Sequence, residues 1–467
     1  MGKGGFKITT YSVQITARTL EELRALEEFD LDLKYRAAQQ LAADRLIVPG
    51  ILTDEQIKRV EEAGYTVKVI SDLSKVVAER ADEVSKVNRF AEVRGISKFE
   101  ERAVSGYMTA DEVESALIDL QSLHPDFVTL IELPHRSWED RISHAIRVRA
   151  GTNTDRDGIL FTGSIHAREW GGSDICITFL VNLIDAYINC SGMTYGGKNF
   201  TATQTRTILE NIDLFVFPDV NPDGKNYSQT QDLWWRKNRN PNTAVGPSTP
   251  GVDLNRNFDF LWDSGIGTSS NPASPIYKGE SAFSEPETRN VRYLLDTYRN
   301  ISYFVDIHCY GELILYNWGD DNNQTIDSRQ SFLNPAYNGK RGVLNDTLYG
   351  EFIPSQDQNM VIDLARRMQE SVSAVRGKNY MVQQSVGLYP TSATSDDYVF
   401  SRHLVNGSNR KVYAYTIEFG QEFVPSFSEM SNIIKDICAA MGELCLTVSG
   451  GEDVQDDRAG RGVMIGT

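Results

Sequence analysis

The chain has 467 residues, 40% of them hydrophobic and 24% charged, and 47 Lys and Arg against 64 Asp and Glu leave a net charge of −17. That length predicts one large domain with a smaller attachment. The acidic balance argues against a nucleic-acid partner, which needs clustered Lys and Arg, and no run approaches the roughly 18 apolar residues that span a bilayer.

Residues 1–73 read as a small unit of alternating element types. Residues 6–16 alternate, with Tyr11, Val13 and Ile15 on one side, and predict a strand; Thr19-Leu20-Glu21-Glu22 then opens a helix striped by Leu20, Leu23, Leu26 and Phe29. Strands are expected near residues 31–34 and at Arg45-Leu46-Ile47-Val48. Thr53-Asp54-Glu55-Gln56 caps a second helix that stops at Gly64, and Tyr65-Thr66-Val67-Lys68-Val69 closes the unit as a strand. The order β-α-β-β-α-β is the ferredoxin-like pattern.

Residues 74–105 are charged and helical in spacing, with a narrow stripe of Val77, Ala81, Val84 and Val87. The segment ends in Arg94-Gly95 and Glu100-Glu101-Arg102, basic sites of the kind proteases cut, and is expected to connect two domains. The second domain, residues 106–449, begins with a capping box at Thr109-Ala110-Asp111-Glu112 and a helix stopped by His124-Pro125. Strand-like runs then follow at residues 127–130, 144–148, 159–161, 214–217, 303–307 and 412–417, with helical stretches such as 174–189 and 285–299 between them. This alternation predicts an α/β fold, a mixed twisted sheet with helices on both faces. Residues 320–359 form a long polar insertion, Ile433, Ile434, Ile437, Met441 and Leu444 stripe a terminal helix, and residues 450–467 look like a disordered tail.

The five cysteines, at 176, 190, 309, 438 and 445, are too sparse for a disulfide framework; Cys176 with Cys190 is the one pair left open. The opening Met1-Gly2-Lys3-Gly4-Gly5-Phe6 shows no signal-peptide apolar run.

Chemistry concentrates first in Gly163-Ser164-Ile165-His166-Ala167-Arg168-Glu169-Trp170, where an imidazole and a carboxylate emerge at the end of the apolar run Ile159-Leu160-Phe161. A catalytic zinc takes three protein ligands and leaves a position for water. His308, in Val305-Asp306-Ile307-His308-Cys309-Tyr310-Gly311, is the histidine that also sits at a strand end, whereas His124, His135, His144 and His403 read as ordinary residues. Cys309 points to the opposite face of that strand from His308 and is not expected to ligate.

Further along stand Asn221-Pro222-Asp223-Gly224, Trp234-Trp235-Arg236-Lys237-Asn238-Arg239, Val252-Asp253-Leu254-Asn255-Arg256-Asn257-Phe258 and Tyr413-Ala414-Tyr415-Thr416-Ile417-Glu418-Phe419. In this order and approximate spacing, over residues 107–448, the motifs resemble the zinc metallocarboxypeptidases of the pancreatic carboxypeptidase A and B branch. The resemblance implies Zn²⁺ held by His166, Glu169 and His308, with Asp253 fixing the His166 ring. It implies Glu418 as general base and Arg239 as oxyanion stabiliser. Asn255 and Arg256 would clamp the terminal carboxylate, Tyr389 would close over it, and Arg168 and Tyr310 would line outer subsites. Asp396 lies seven residues after Tyr389; the resemblance implies that this position forms the base of the terminal side-chain pocket, where an Asp would favour Lys and Arg, the alternative being a surface turn residue. Tyr398 stands where the family usually has Trp.

The N-terminal unit resembles the family's pro-segment, which implies a monomeric zymogen, an activating protease, peptide and protein C-termini as substrates, and secretion. Three other readings remain at this stage: mixed or hydrophobic specificity, cell-wall peptide hydrolysis, and a non-catalytic zinc-containing peptide-binding relative.

Overall fold

A computed structural model of the chain describes residues 9–90, 106–244, 251–343 and 347–451. Both basic sites, Arg94 and Arg102, and nearly all of the expected tail lie outside the described residues.

The N-terminal unit contains β1 (Thr10–Ala17), β2 (Asp32–Leu33), β3 (Gln39–Ala42), β4 (Arg45–Thr53) and β5 (Thr66–Asp72). Its sheet runs β2-β4-β1-β5, with β3 added against β4. Apart from β3, which periodicity did not reveal, this is the expected ferredoxin-like order. Thr53 and Gln56 satisfy each other's backbone N–H groups around the start of the helix Asp54–Glu62, worth about 1 kcal/mol, and Gly64 takes the left-handed φ of 98° that ends it. Val13, Ile15, Leu23, Leu26, Val48 and Val60 form the core of the unit, and Tyr389 from the second domain is packed into it. The connecting helix is shorter than its spacing suggests: it spans Leu73–Arg80, and Val77 and Val87 are exposed.

The second domain adds β6 (Val128–Glu132), β7 (His144–Val148), β8 (Asp157–Gly163), a small hairpin of β9 (Met193–Tyr195) and β10 (Lys198–Phe200), and β11 (Ile212–Phe217). Then come β12 (Ile301–Cys309), β13 (Leu313–Tyr316), the short pair β14 (Asn323–Gln324) and β15 (Glu351–Phe352), β16 (Met381–Gln384) and β17 (Tyr413–Phe419). Eight of these form one sheet in the order β16-β13-β17-β12-β8-β11-β7-β6. Its centre, β17-β12-β8-β11, is parallel, and antiparallel strands flank it. Every residue of β11 is buried, so both faces are covered there. The helices Gly172–Ile188, Ser355–Arg376 and Phe427–Val448 supply much of the covering. Cys176, inside the first of these helices, and Cys190, beyond its end, are both free thiols. The intervening turns separate them by roughly 20 Å at the helical rise, too far to bridge.

Inside the 320–359 insertion, Asp320 is buried against Glu351, carboxyl to carboxyl, and among the described residues no basic side chain pairs with it. Burial and the neighbouring Glu351, Asp397 and Asp321 push its pKa well up, and burial lifts Glu351 and Asp397 to about 7. These carboxyls hold protons more tightly folded than unfolded. Their contribution to stability therefore declines as pH rises from about 4 through 7. The melting temperature is expected to be lower at pH 8 than at pH 6, and Asp320→Asn should raise the pH 8 value by roughly 2 °C; an unchanged difference in a pH series of thermal melts would refute the assignment.

Candidate active site

Three adjacent parallel strands deliver the reactive side chains to one edge of the sheet. β8 ends at Gly163, and the chain turns through Ser164, at φ 58°, to present His166 and Glu169. Next to it, β12 carries His308 at its C-terminal end, and β17 carries Glu418 in register with His308. Ligand sites in open α/β sheets lie at these carboxyl ends.

His166 Nδ1 lies 2.9 Å from Glu169 Oε1, His308 Nδ1 lies 3.1 Å from Glu169 Oε2, and the two Nδ1 atoms are 3.2 Å apart. Two imidazole nitrogens and a carboxylate, all buried and converging within 4.8 Å, match a three-ligand zinc site; among the described residues no other such group is present. The outer ring nitrogens are also engaged. His166 Nε2 meets Asp253 at 3.0 Å and His308 Nε2 meets Asp306 at 3.0 Å, which orients each ring with Nδ1 inward. Burial would depress His308, but Asp306 and Glu169 override it and hold the ring up at about 10; for His166, burial and the Arg236 cation prevail and lower it.

The structure brings Arg236, not Arg239, to this cluster. Ala167 N–H donates to Arg236 C=O at 3.0 Å, which turns the Arg236 side chain toward the His166–Glu169 loop. Its guanidinium lies 2.9 Å from Asp253 and 3.6 Å from Glu169. Arg239 instead stacks on Tyr227 and Trp235, at 3.7 and 4.6 Å, and pairs with Glu139 at 3.4 Å. Arg239, the arginine expected at the cluster, is thus held away from it, and Arg236, three residues earlier, lies there instead. Asp306, missed in the sequence, was findable: in a strand it shares a face with His308 two residues on.

Asn255 and Arg256 are buried beside the cluster. Asn255 Oδ1 accepts from Ser395 N–H at 2.8 Å. Arg256 donates to the carbonyls of Gly267 and Asn255, at 2.8 and 2.7 Å, and among the described residues no carboxylate pairs with it. Burial lowers its pKa to about 10. Tyr310 packs edge-on against Phe423, and Arg168 lies over the same ring at 4.4 Å. Asp396 is fully buried rather than a surface turn residue, and accepts from Ser385 and Thr416 hydroxyls at 3.1 Å each. Asp397 faces away, accepting from Asn317 and Gly319.

The N-terminal unit sits over all of this. Asp32 pairs with Arg168 at 2.7 Å, and Lys34 Nζ lies 3.1 Å from Glu169 and donates to Cys309 C=O. Lys34 is also 2.9 Å from Glu418 Oε2, an ion pair without hydrogen-bond alignment. Arg36 reaches Asp396 at 3.3 Å and Thr416 at 3.2 Å. Burial would raise Asp396, but Arg36 and the surrounding hydroxyls hold it down at about 2. Tyr389 is drawn into the unit, its hydroxyl donating to Leu23 C=O at 2.5 Å and its ring 4.4 Å from Tyr35. Only about 30 Å³ stays open among these groups, whereas a cleft of about 470 Å³ remains to one side, between β1 and β4 and the 421–424 loop.

The chain matches the family described as zinc carboxypeptidase over residues 113–440. It is 30% identical to a carboxypeptidase B of Helicoverpa zea over 314 residues, 65% of this chain and 67% of that one. It is 31% identical to a metallocarboxypeptidase A of Arthroderma otae over 331 residues, 68% and 70% of the two chains. In fold it is similar to the carboxypeptidase A of Helicoverpa armigera, at TM-score 0.71 and 19% identity over 95% of this chain and 98% of that one. It is also similar to thrombin-activatable fibrinolysis inhibitor, at TM-score 0.67 and 19% identity over 95% and 99%. With its His-Glu-His cluster formed and its α/β sheet built as those folds are, the chain belongs to the zinc carboxypeptidase family and is a metallocarboxypeptidase that uses a catalytic Zn²⁺.

Proposed function

We propose that this enzyme removes C-terminal Lys and Arg from peptides and proteins, and that its N-terminal unit keeps it latent until a protease cuts near Arg94 or Arg102. The observation that carries the specificity is Asp396, fully buried beside the cluster and already holding a guanidinium at 3.3 Å. Left without a cation, such a carboxylate costs several kcal/mol, so an apolar terminal side chain is rejected.

His166, Glu169 and His308 would hold Zn²⁺, which would supply Lewis acidity and lower the pKa of water. Glu418, level with His308 across β12 and β17, takes the proton from the attacking water and passes it to the leaving amine. Arg236 meets the charge that develops on the carbonyl oxygen. Asp253 and Asp306 hold the two imidazoles in place. Arg256, a buried cation with only carbonyl partners among the described residues, receives the substrate's terminal carboxylate together with Asn255. Tyr389, once released from Leu23, closes over that terminus, and Arg168 and Tyr310 contact residues further up the peptide.

The test is kcat/KM on peptides differing only in a final Arg or Phe, after limited proteolysis at the 94–102 stretch. Arg is expected to exceed Phe by about a hundredfold or more, with both activities lost to a zinc chelator. Comparable rates would overturn the basic pocket while leaving the peptidase in place.

A further inference from the structure

We infer that the segment from Asp32 to Arg36 is a built-in substrate mimic, in which Arg36 occupies the pocket meant for a substrate's terminal guanidinium. The inference rests on the reading of Asp396 as the specificity residue. In β2 and the turn after it, Asp32, Lys34 and Arg36 alternate along the chain and all reach the cleft. Each lands on a different working part: Asp32 on Arg168, Lys34 on Glu169 and Glu418, Arg36 on Asp396. Lys34 and Arg36 are both buried, so these are inserted side chains rather than a lid resting on the rim.

The mimic is incomplete in one informative respect. The chain continues from Arg36 into Ala37 and Ala38, so no free carboxylate accompanies the guanidinium, and among the described residues Arg256 is left with carbonyl partners alone. Without a terminus to clamp, the segment binds but offers no bond in the position of a C-terminal residue. A ligand carrying both a guanidinium and an α-carboxylate satisfies Asp396 and Arg256 together, and therefore competes with Arg36. Phenylalanine, which has only the carboxylate, leaves the Asp396–Arg36 pair untouched. Buried ion pairs of this kind also yield small net free energies, because desolvation offsets most of the attraction, so displacement needs only a modest advantage.

The experiment uses the intact, zinc-loaded chain. Hydrogen exchange is followed at the amides of residues 32–37 with increasing free L-arginine or L-phenylalanine. Arginine is expected to speed exchange at least tenfold, and phenylalanine to have no such effect; equal responses would overturn the mimicry. In parallel, hydrolysis of an Arg-ending peptide is measured for intact wild type, Arg36→Met, which keeps the volume without the charge, and Arg36→Lys. Arg36→Met should raise the rate of the intact chain at least tenfold, while Arg36→Lys stays latent. Thermal melts identify any variant that fails to fold. A latent, folded Arg36→Met chain whose cleaved form still prefers Arg would sink the mimic and spare the specificity. A cleaved enzyme without Arg preference would instead remove the reading on which the mimic rests.

Discussion

Replacing Arg236 by Ala is expected to lower kcat by about 10²–10³, or roughly 3–4 kcal/mol of transition-state stabilisation, while Arg239→Ala stays within about twofold of the wild type. The contrast follows from position. Arg236 lies 3.6 Å from Glu169 and 2.9 Å from Asp253, inside the cluster, whereas Arg239 is spent on Tyr227, Trp235 and Glu139. The measurement is kcat and KM for an Arg-ending peptide on proteolytically cleaved enzyme, with zinc content determined for each variant, because Asp253 also steadies His166. A loss in kcat with zinc retained supports the oxyanion role. A larger loss for Arg239→Ala than for Arg236→Ala would reverse the assignment.

The other large effect is expected at Glu418. Glu418→Gln keeps the shape and removes the proton acceptor, so kcat should fall by about 10²–10⁴ with KM little changed. Zinc content should also hold, since His166, Glu169 and His308 form the converging group without Glu418. If the cleaved Glu418→Gln enzyme retained more than about a tenth of the wild-type kcat, another group would have to carry the proton.

How much of this was legible beforehand depended on whether the deciding signal was local. Thr53 and Thr109 sit in full capping boxes because Gln56 and Glu112, three residues on, complete them within one turn. β8 and β12 could be read from continuous apolar runs, as befits strands buried on both faces. β13 and β16 could not. Each is four residues long, and Met381–Gln384 is half polar; β16 is a strand through its parallel pairing with β13, distant in the chain, and β13 through that pairing and its antiparallel pairing with β17.

The same division runs through the site. His166, Glu169 and His308 were recoverable because their spacing and strand-end positions are chemical requirements. Choosing between Arg236 and Arg239 required the Ala167–Arg236 backbone hydrogen bond, which no local pattern encodes. The charges at 32, 34 and 36 carried no such signal: β2 ends at Leu33 and Arg36 lies in the 3₁₀ turn Tyr35–Ala37, where strand alternation does not hold. What they face, a cleft more than a hundred residues away in the chain, is set by domain packing alone.

The placement of Arg36 in the Asp396 pocket has a consequence for how latency would end. In the intact chain the segment is tethered, and its effective concentration at the cleft is on the order of millimolar. An intrinsic affinity of only about 1 µM would then keep roughly 99.9% of molecules closed. Once the connection is cut, closure becomes a bimolecular event governed by dilution, and at nanomolar enzyme the same affinity leaves nearly every cleft open. Weak docking is thus enough for silence before the cut and for irreversibility after it, with no change in any contact that Arg36 makes.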